Sequence, residues 1–329
     1  MRAELLSYLA CPVCGGELDL EDRRVEGEHI MVGSLACPPC RTDFPVLRGV
    51  PRFTSHSSGH KATAAAFGYQ WARYSELSSQ YRRQFLDWIA PVEASSFRDC
   101  LVLEGGCGKG RHTVQAAEFG ARGVLALDVS DAVDVAFANT RDLPNAHVVQ
   151  ADLNHPPVRR VFDLAFSVGV LHHLPEPERG FRALVSRLKP GGRIVVWVYG
   201  REGNGWIVHL ISPAREHFTS RLPHWLLEPI ALAATMPLFL VSRTLYRRKV
   251  VFGRRLPYAE YLNYIAQFPF KEQRTIVFDH LVAPVAYYLR RDEVEGWIQR
   301  AGLECVSLQQ HNGNSWRALS AVPVGKQDG

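Results

Sequence analysis

No apolar stretch of this chain is long and unbroken enough to be assigned to a membrane from sequence alone. The longest, Trp225 to Val241, runs 17 residues and is interrupted by Glu228, Pro229 and Pro237, short of the roughly 20 that a spanning helix needs. A secretory leader is not apparent either, because Leu5, Leu6, Tyr8 and Leu9 are too few and lead straight into Cys11. Together these absences favour the cytoplasm, where thiols stay reduced. Charge excess is also missing from most of the chain. The net charge is +5, yet Arg201 to Pro257 alone carries nine Lys/Arg against three Glu, so the remainder is near neutral. Two chemical signatures are absent as well. The apolar run Phe162 to Val168 leads into Gly169-Val170 and not into the N/D-P-P-Y turn that holds a planar exocyclic nitrogen. The only Pro-Cys dipeptide, Pro39-Cys40, belongs to a cysteine knuckle. Both omissions disfavour modification of nucleobases and leave attack on other base atoms open.

What remains is ordinary globular material. The 329 residues are 47% hydrophobic and 22% charged, enough for one large or two smaller domains. Four of the seven cysteines form two C-x-x-C pairs, Cys11/Cys14 and Cys37/Cys40, with 22 residues between them. Each pair sets two thiolates on one tetrahedral ion, which is the spacing of a four-cysteine zinc ribbon. With every position filled by cysteine, such an ion has no open site, so its role is structural. A thioredoxin-like redox pair would need a single C-x-x-C beside a βαβ pattern, and there is none. The flanking words Leu5-Leu6-Ser7-Tyr8-Leu9-Ala10 and Phe44-Pro45-Val46-Leu47 resemble the zinc-ribbon family of methyltransferase-activating subunits. That resemblance covers 1–53, and a Ser/Gly/His-rich linker, 54–60, follows it.

The run Leu101-Val102-Leu103-Glu104-Gly105-Gly106-Cys107-Gly108-Lys109-Gly110 reads as a buried strand breaking into a glycine turn that opens a helix. Glycine permits positive φ and lets a ligand touch bare backbone, while the N–H groups of the helix start face it. A dinucleotide site wants G-x-G-x-x-G, but Arg111 stands where the third glycine would fall. The acidic residue ahead of the turn would repel a pyrophosphate and would pair with a cationic amino acid. Here the chain resembles the class I S-adenosylmethionine-dependent methyltransferases, whose first motif is E/D-x-G-x-G-x-G. Later elements agree in order: Gly123 to Asp128, then Ala146 to Leu153, then Phe162 to Val168, a helix over 177–188, the turn Lys189-Pro190-Gly191-Gly192 and a strand to Tyr199. Asp128 stands 22 residues past Gly106, where a ribose-binding acid belongs.

The resemblance implies an α/β fold, a Rossmann-like seven-stranded methyltransferase sheet with helices on both faces. A methyltransferase domain is expected over 61–329, with a helical cap insertion at about 202–284. The donor, S-adenosyl-L-methionine, is expected to contact Glu104, Gly105, Gly106, Gly108, Gly110, Asp128, Val129, Asp152, Leu153, Ser167 and Val168. His172 and His173 leave the fourth strand where the transferred group should point and are the candidate bases. Tyr199, His209, Asp279, His280, Tyr287 and Tyr288 are weaker candidates. Cys107 is read as a small filler, and the aromatic stretch 62–89 as either a lid over the donor or ordinary core.

The wording around strands four and five resembles the UbiE-like small-molecule methyltransferases. It implies a small-molecule or lipid-like acceptor methylated at oxygen or carbon, with nucleic acid as an unlikely partner. The segment 225–249, ending in Arg243, Arg247, Arg248 and Lys249, reads as a pocket-closing cap or as a peripheral membrane contact in an otherwise cytoplasmic protein. The alternatives are an RNA or translation-factor methyltransferase and a non-catalytic activating scaffold.

Overall fold

The computed structural model describes residues 1–54, 61–246 and 258–325. Residues 55–60 of the expected linker, and Arg247, Arg248 and Lys249, lie outside them.

Four antiparallel strands form the amino-terminal sheet: β1 (Asp19–Glu26), β2 (His29–Cys37), β3 (Thr42–Leu47) and β4 (Val50–Pro51), in that order. Helices α1 (Lys61–Arg73) and α2 (Tyr81–Ile89) lead into β5 (Leu101–Gly105). The alternating series then runs α3 (Arg111–Glu118), β6 (Gly123–Asp128), α4 (Val133–Thr140), β7 (Ala146–Gln150), β8 (Phe162–Val168), α5 (Pro177–Val185) and β9 (Leu188–Tyr199). Helices α6 (Ser212–His217), α7 (His224–Val241), α8 (Ala259–Ile265) and α9 (Phe270–Val282) build the insertion. The chain closes with α10 (Arg291–Arg300), β10 (Glu304–His311) and β11 (Ser315–Ala321).

The large sheet has seven strands in the order β10-β11-β9-β8-β5-β6-β7. Its central members are parallel, and β10 and β11 are antiparallel at one edge. β5 is buried at all five positions, as a parallel strand covered on both faces must be. The chain moves outward from β5 to β7 and then crosses to β8 on the other side, so β5 and β8 flank the switch point where α/β sheets bind ligands.

The expected helix 177–188 ends early, at Val185. Leu188 already pairs with Phe162, and the register slips before Leu164 meets Arg193. Lys189 to Gly192 is therefore a bulge inside β9, with Gly191 at φ +77°, where sheet pairing overrides the turn read from Pro-Gly-Gly.

The ribbon sits against the edge of the large sheet. Phe53 N donates to Gln150 O at 2.8 Å and Ala10 N to Pro157 O at 3.0 Å. Buried Arg52 donates to Gln150 Oε1 at 2.9 Å and pairs with Asp134 at 2.5 Å. Leu5, Leu9, Phe44 and Phe53 share one apolar core with Leu125, Leu127 and Val149. The ribbon thus covers β7, which would otherwise be an exposed edge strand.

Candidate active site

Three glycines after β5 adopt positive φ: Gly106 at +85°, Gly108 at +52° and Gly110 at +80°. A Cβ on Gly106 would stand 2.3 Å from Val170, and one on Gly108 would stand 2.8 Å from the Trp71 indole nitrogen. The turn therefore needs glycine for backbone conformation and for space. Trp71 belongs to α1, which also sends Thr63, Ala64 and Phe67 to the cavity wall. Part of the 62–89 stretch is thus a lid over the turn.

Asp128, at the end of β6, accepts from Gly108 N at 2.8 Å through Oδ2. Its Oδ1 accepts from Ser130 N at 2.8 Å and Ser130 Oγ at 2.7 Å. The carboxylate is fixed by the glycine turn and by its own loop, and it lines the cavity. Glu104 is 1% exposed and stands just behind the wall. Its Oε2 accepts from Thr113 Oγ1 at 2.5 Å, while Oε1 is buried without a hydrogen-bond partner, with His112 Nδ1 4.0 Å away. Burial pushes Glu104 up to about 8, so a nearby cation would be needed to keep it ionised at neutral pH. An orphaned acidic oxygen beneath a glycine turn, with an oriented carboxylate at the next strand end, fits the amino-acid and ribose ends of S-adenosylmethionine.

Replacing Asp128 by asparagine should weaken donor binding about 10- to 100-fold, the worth of a hydrogen bond to a charged group. Calorimetry with S-adenosylmethionine measures this. Unchanged affinity with a lowered melting temperature would reduce Asp128 to a strand-end cap.

The cavity runs from the glycine turn and the β6 end, at Gly106, Gly108 and Asp128, to α8 and α9, at Tyr261, Tyr264 and Asp279. Of the residues expected at the donor site, Gly106, Gly108, Asp128, Val129, Asp152, Leu153 and Val168 line it. Gly105, Gly110 and Ser167 support the wall from behind. Ser167 Oγ donates to Gly105 O at 2.8 Å, tying β8 to β5. Cys107 is buried, with its thiol pushed well above the ordinary value by burial, consistent with a filler.

The two histidines part company. His173 lines the cavity, and its Nδ1 donates to Val285 O at 2.6 Å, which leaves Nε2 as the acceptor. Burial lowers it to about 4, so it is neutral at pH 7. His172 is fully buried behind it and packs on Tyr199 with ring centres 3.9 Å apart.

Facing them, α9 contributes Asp279 and His280, β9 contributes Trp197 and Tyr199, and Tyr288 follows α9. Gln70 of α1 donates to Asp279, whose carboxyl is pushed up to about 6 by burial. His209 is exposed and Tyr287 is 45% exposed, and neither reaches the wall.

Sequence reasoning missed Lys109 and the α8 face. Lys109 Nζ donates to Tyr74 O at 2.7 Å, Glu76 O at 2.9 Å and Tyr81 Oη at 2.9 Å, which fastens the turn to the lid connection. Tyr261, Tyr264 and Phe268 add rings to the wall. Their only sequence signal was aromatic content in the insertion.

In the ribbon, Cys11 Sγ lies 3.5 Å from Cys40 Sγ, and Cys14 Sγ lies 3.4 Å from Cys37 Sγ. All four sulfurs fall within 4.8 Å of one another, a donor set and spacing that fit one tetrahedral zinc ion.

Comparison with known proteins agrees with both units. Residues 103–196 match the family described as a methyltransferase domain, and residues 2–49 match Trm112p-like protein. A tRNA U34 carboxymethyltransferase of Cellvibrio japonicus is 30% identical over 146 residues, 42% of this chain and 45% of that protein. One of Idiomarina loihiensis is 32% identical over 109 residues, 31% and 34% of the two chains. The chain thus matches less than half the length of these curated relatives. Among solved structures, the complex between the Haloferax volcanii Trm112 methyltransferase activator and a methyltransferase aligns with a TM-score of 0.45 at 13% identity, covering 80% and 96% of the chains. The names of the relatives overturn two expectations, a small-molecule or lipid-like acceptor and nucleic acid as an unlikely partner.

Proposed function

We propose that this chain, an S-adenosylmethionine-dependent methyltransferase domain behind a Trm112-like zinc ribbon, modifies RNA, with tRNA as the first candidate. The observation that carries this reading is that relatives matched at about 30% identity are named for a tRNA nucleotide. The absent N/D-P-P-Y and Pro-Cys signatures do not oppose it. They mark enzymes acting on exocyclic amines and on cytosine carbon, whereas a base oxygen needs neither device. The aromatic cavity suits such an acceptor. A base must leave its stack to reach a buried site, and the Tyr261 and Tyr264 rings on the cavity wall are of the kind on which an extruded base can rest.

Bound at the glycine turn, S-adenosylmethionine supplies an electrophilic methyl group whose leaving thioether is neutral. The protein's work is to align and desolvate the acceptor and to remove its proton. Asp279 is the better base, because about 6 lies closer to working pH than the value near 4 at His173. His173 Nε2 then accepts a hydrogen bond that orients the acceptor, and His172 braces Tyr199 from behind.

Incubation with methyl-labelled S-adenosylmethionine and total RNA from cells lacking the gene should place nuclease-sensitive label in the tRNA fraction. RNA affinity should fall with salt at a log–log slope of about −0.7 per single-strand phosphate contact. Label appearing only in protein or in the organic extract would overturn the reading.

A further inference from the structure

A carboxylate, an imidazole and a hydroxyl stand in line beside the cavity, on three different elements. His311, the last residue of β10, is 6% exposed. Its Nε2 lies 2.8 Å from Asp87 Oδ2 on α2, and its Nδ1 lies 3.3 Å from Ser315 Oγ at the start of β11. The order is that of a hydrolytic triad, but the protons are in the wrong place for one. Ser315 Oγ donates to the His311 carbonyl at 2.9 Å and the residue is 1% exposed, so it offers neither a proton to the ring nor an oxygen to a substrate.

The donor that the ring does receive is Trp197, whose indole Nε1 donates to His311 Nδ1 at 3.3 Å. An imidazole nitrogen that accepts carries no proton, so the ring's hydrogen sits on Nε2 and is given to Asp87. Asp87 is itself held at its main chain, where Arg317 of β11 donates to its carbonyl at 2.8 Å. A single run of hydrogen bonds, Trp197 to His311 to Asp87, thus passes from the cavity wall to the solvent side of α2. Trp197 lines the cavity, and its ring stacks on Trp88 with centres 4.7 Å apart. On one side its carbonyl accepts from Gly169 N at 3.0 Å, next to the Val170 that closes on Gly106. On the other its edge meets Tyr199, with ring centres 5.6 Å apart. The indole therefore joins the donor turn to the acceptor end.

We propose that Asp87 and His311 are positioning residues for methyl transfer: they lock the Trp197 indole, and with it the wall against which the acceptor is aligned with the methyl donor. Both act through Trp197, away from the reacting atoms. The donor's own partner, Asp128, is fixed by other bonds, from Gly108 and Ser130, so donor affinity is independent of this run. The inference rests on the methyltransferase reading and not on RNA as the acceptor.

Proton–nitrogen correlation spectra of the full chain read the bond directly, with the Trp197 indole resonance identified by its loss in Trp197→Phe. Asp87→Asn is the decisive variant. It keeps the size of a part-exposed side chain but lets an amide donate to Nε2, which turns the ring's proton toward Trp197. Expected are an upfield shift of the Trp197 indole proton, unchanged S-adenosylmethionine affinity by calorimetry, and slower methyl transfer at saturating donor. A wall displaced by about 1 Å lowers the rate about 10- to 100-fold. Transfer is read on whichever fraction of the cell extract the wild type labels, so the wild type judges the RNA reading and the variants judge this one. His311→Asn, whose Oδ1 can stand where Nδ1 accepts, should recover most of what His311→Leu loses. Three results would overturn the proposal: an indole resonance unmoved in Asp87→Asn, a moved resonance with transfer undiminished, or donor affinity that falls in step with transfer.

Discussion

Removing zinc from the four-cysteine cluster, by chelation or by Cys37→Ser, is expected to lower the melting temperature of the whole chain and not of its first fifty residues alone. Ribbons of this size have little core of their own, and metal binding supplies their folding free energy, about 10–16 kcal/mol in isolated zinc-finger peptides at neutral pH. Here the consequence spreads. Leu5, Leu9, Phe44 and Phe53 are buried together with Leu125, Leu127 and Val149. Loss of the ribbon would expose those side chains, and each fully buried one contributes about 1.5–3 kcal/mol. It would also free the β7 edge, whose Gln150 now bonds to Arg52 and Phe53. A calorimetric scan with and without chelator should show one transition that shifts as a unit, with weakened S-adenosylmethionine binding, since β6 and Asp128 lie beside that edge. Two separate transitions, with the second unmoved and donor affinity intact, would make the ribbon an appendage.

The second large effect concerns the acceptor's proton. Asp279→Asn should lower kcat about 10²- to 10⁴-fold, with donor affinity retained because the residue sits at the cap end of the cavity. The pH dependence gives the sharper test. Burial holds Asp279 near 6, and a base works only when deprotonated. In the wild type, kcat/KM should therefore fall as pH drops through about 6, and the variant should lose that limb. His173→Gln should cost less and act mainly on KM, since that ring is already neutral across the range. A variant that keeps kcat and raises KM would make Asp279 a positioning residue.

Local spacing carried much of this. The E-x-G-x-G-x-G run located the turn because positive φ at three glycines and contact at bare backbone leave few residue types possible. The two C-x-x-C knuckles located the metal cluster for the same kind of reason: two thiolates on one ion fix their own separation. Apolar runs at Leu101, Gly123, Ala146 and Phe162 gave the parallel strands, since burial on both faces admits little polarity. The boundary of α5 was less legible, because Leu188 is claimed by Phe162 across the sheet and not by its own helix.

Sequence could not separate His172 from His173. The neighbours are identical in type, and only Val285 and Tyr199, brought in from other elements, decide which ring meets the cavity. Nor could it raise Asp279 above the other weaker candidates, because the amide that holds it belongs to Gln70, 209 residues away, and its ionisation is set by burial beneath a cap read only as helical. The acceptor class followed wording near strands four and five, and comparison with tRNA-directed relatives corrected it.

The chain by itself thus determined the donor turn, the metal knuckles and the order of the strands. Those features are constrained by φ, by spacing and by periodicity within a few residues. Tertiary structure alone decided that the ribbon seals the sheet edge, that Asp279 faces the cavity and that His311 bridges Asp87 and Trp197. Burial and charge pairing depend on partners that folding brings together from distant parts of the sequence.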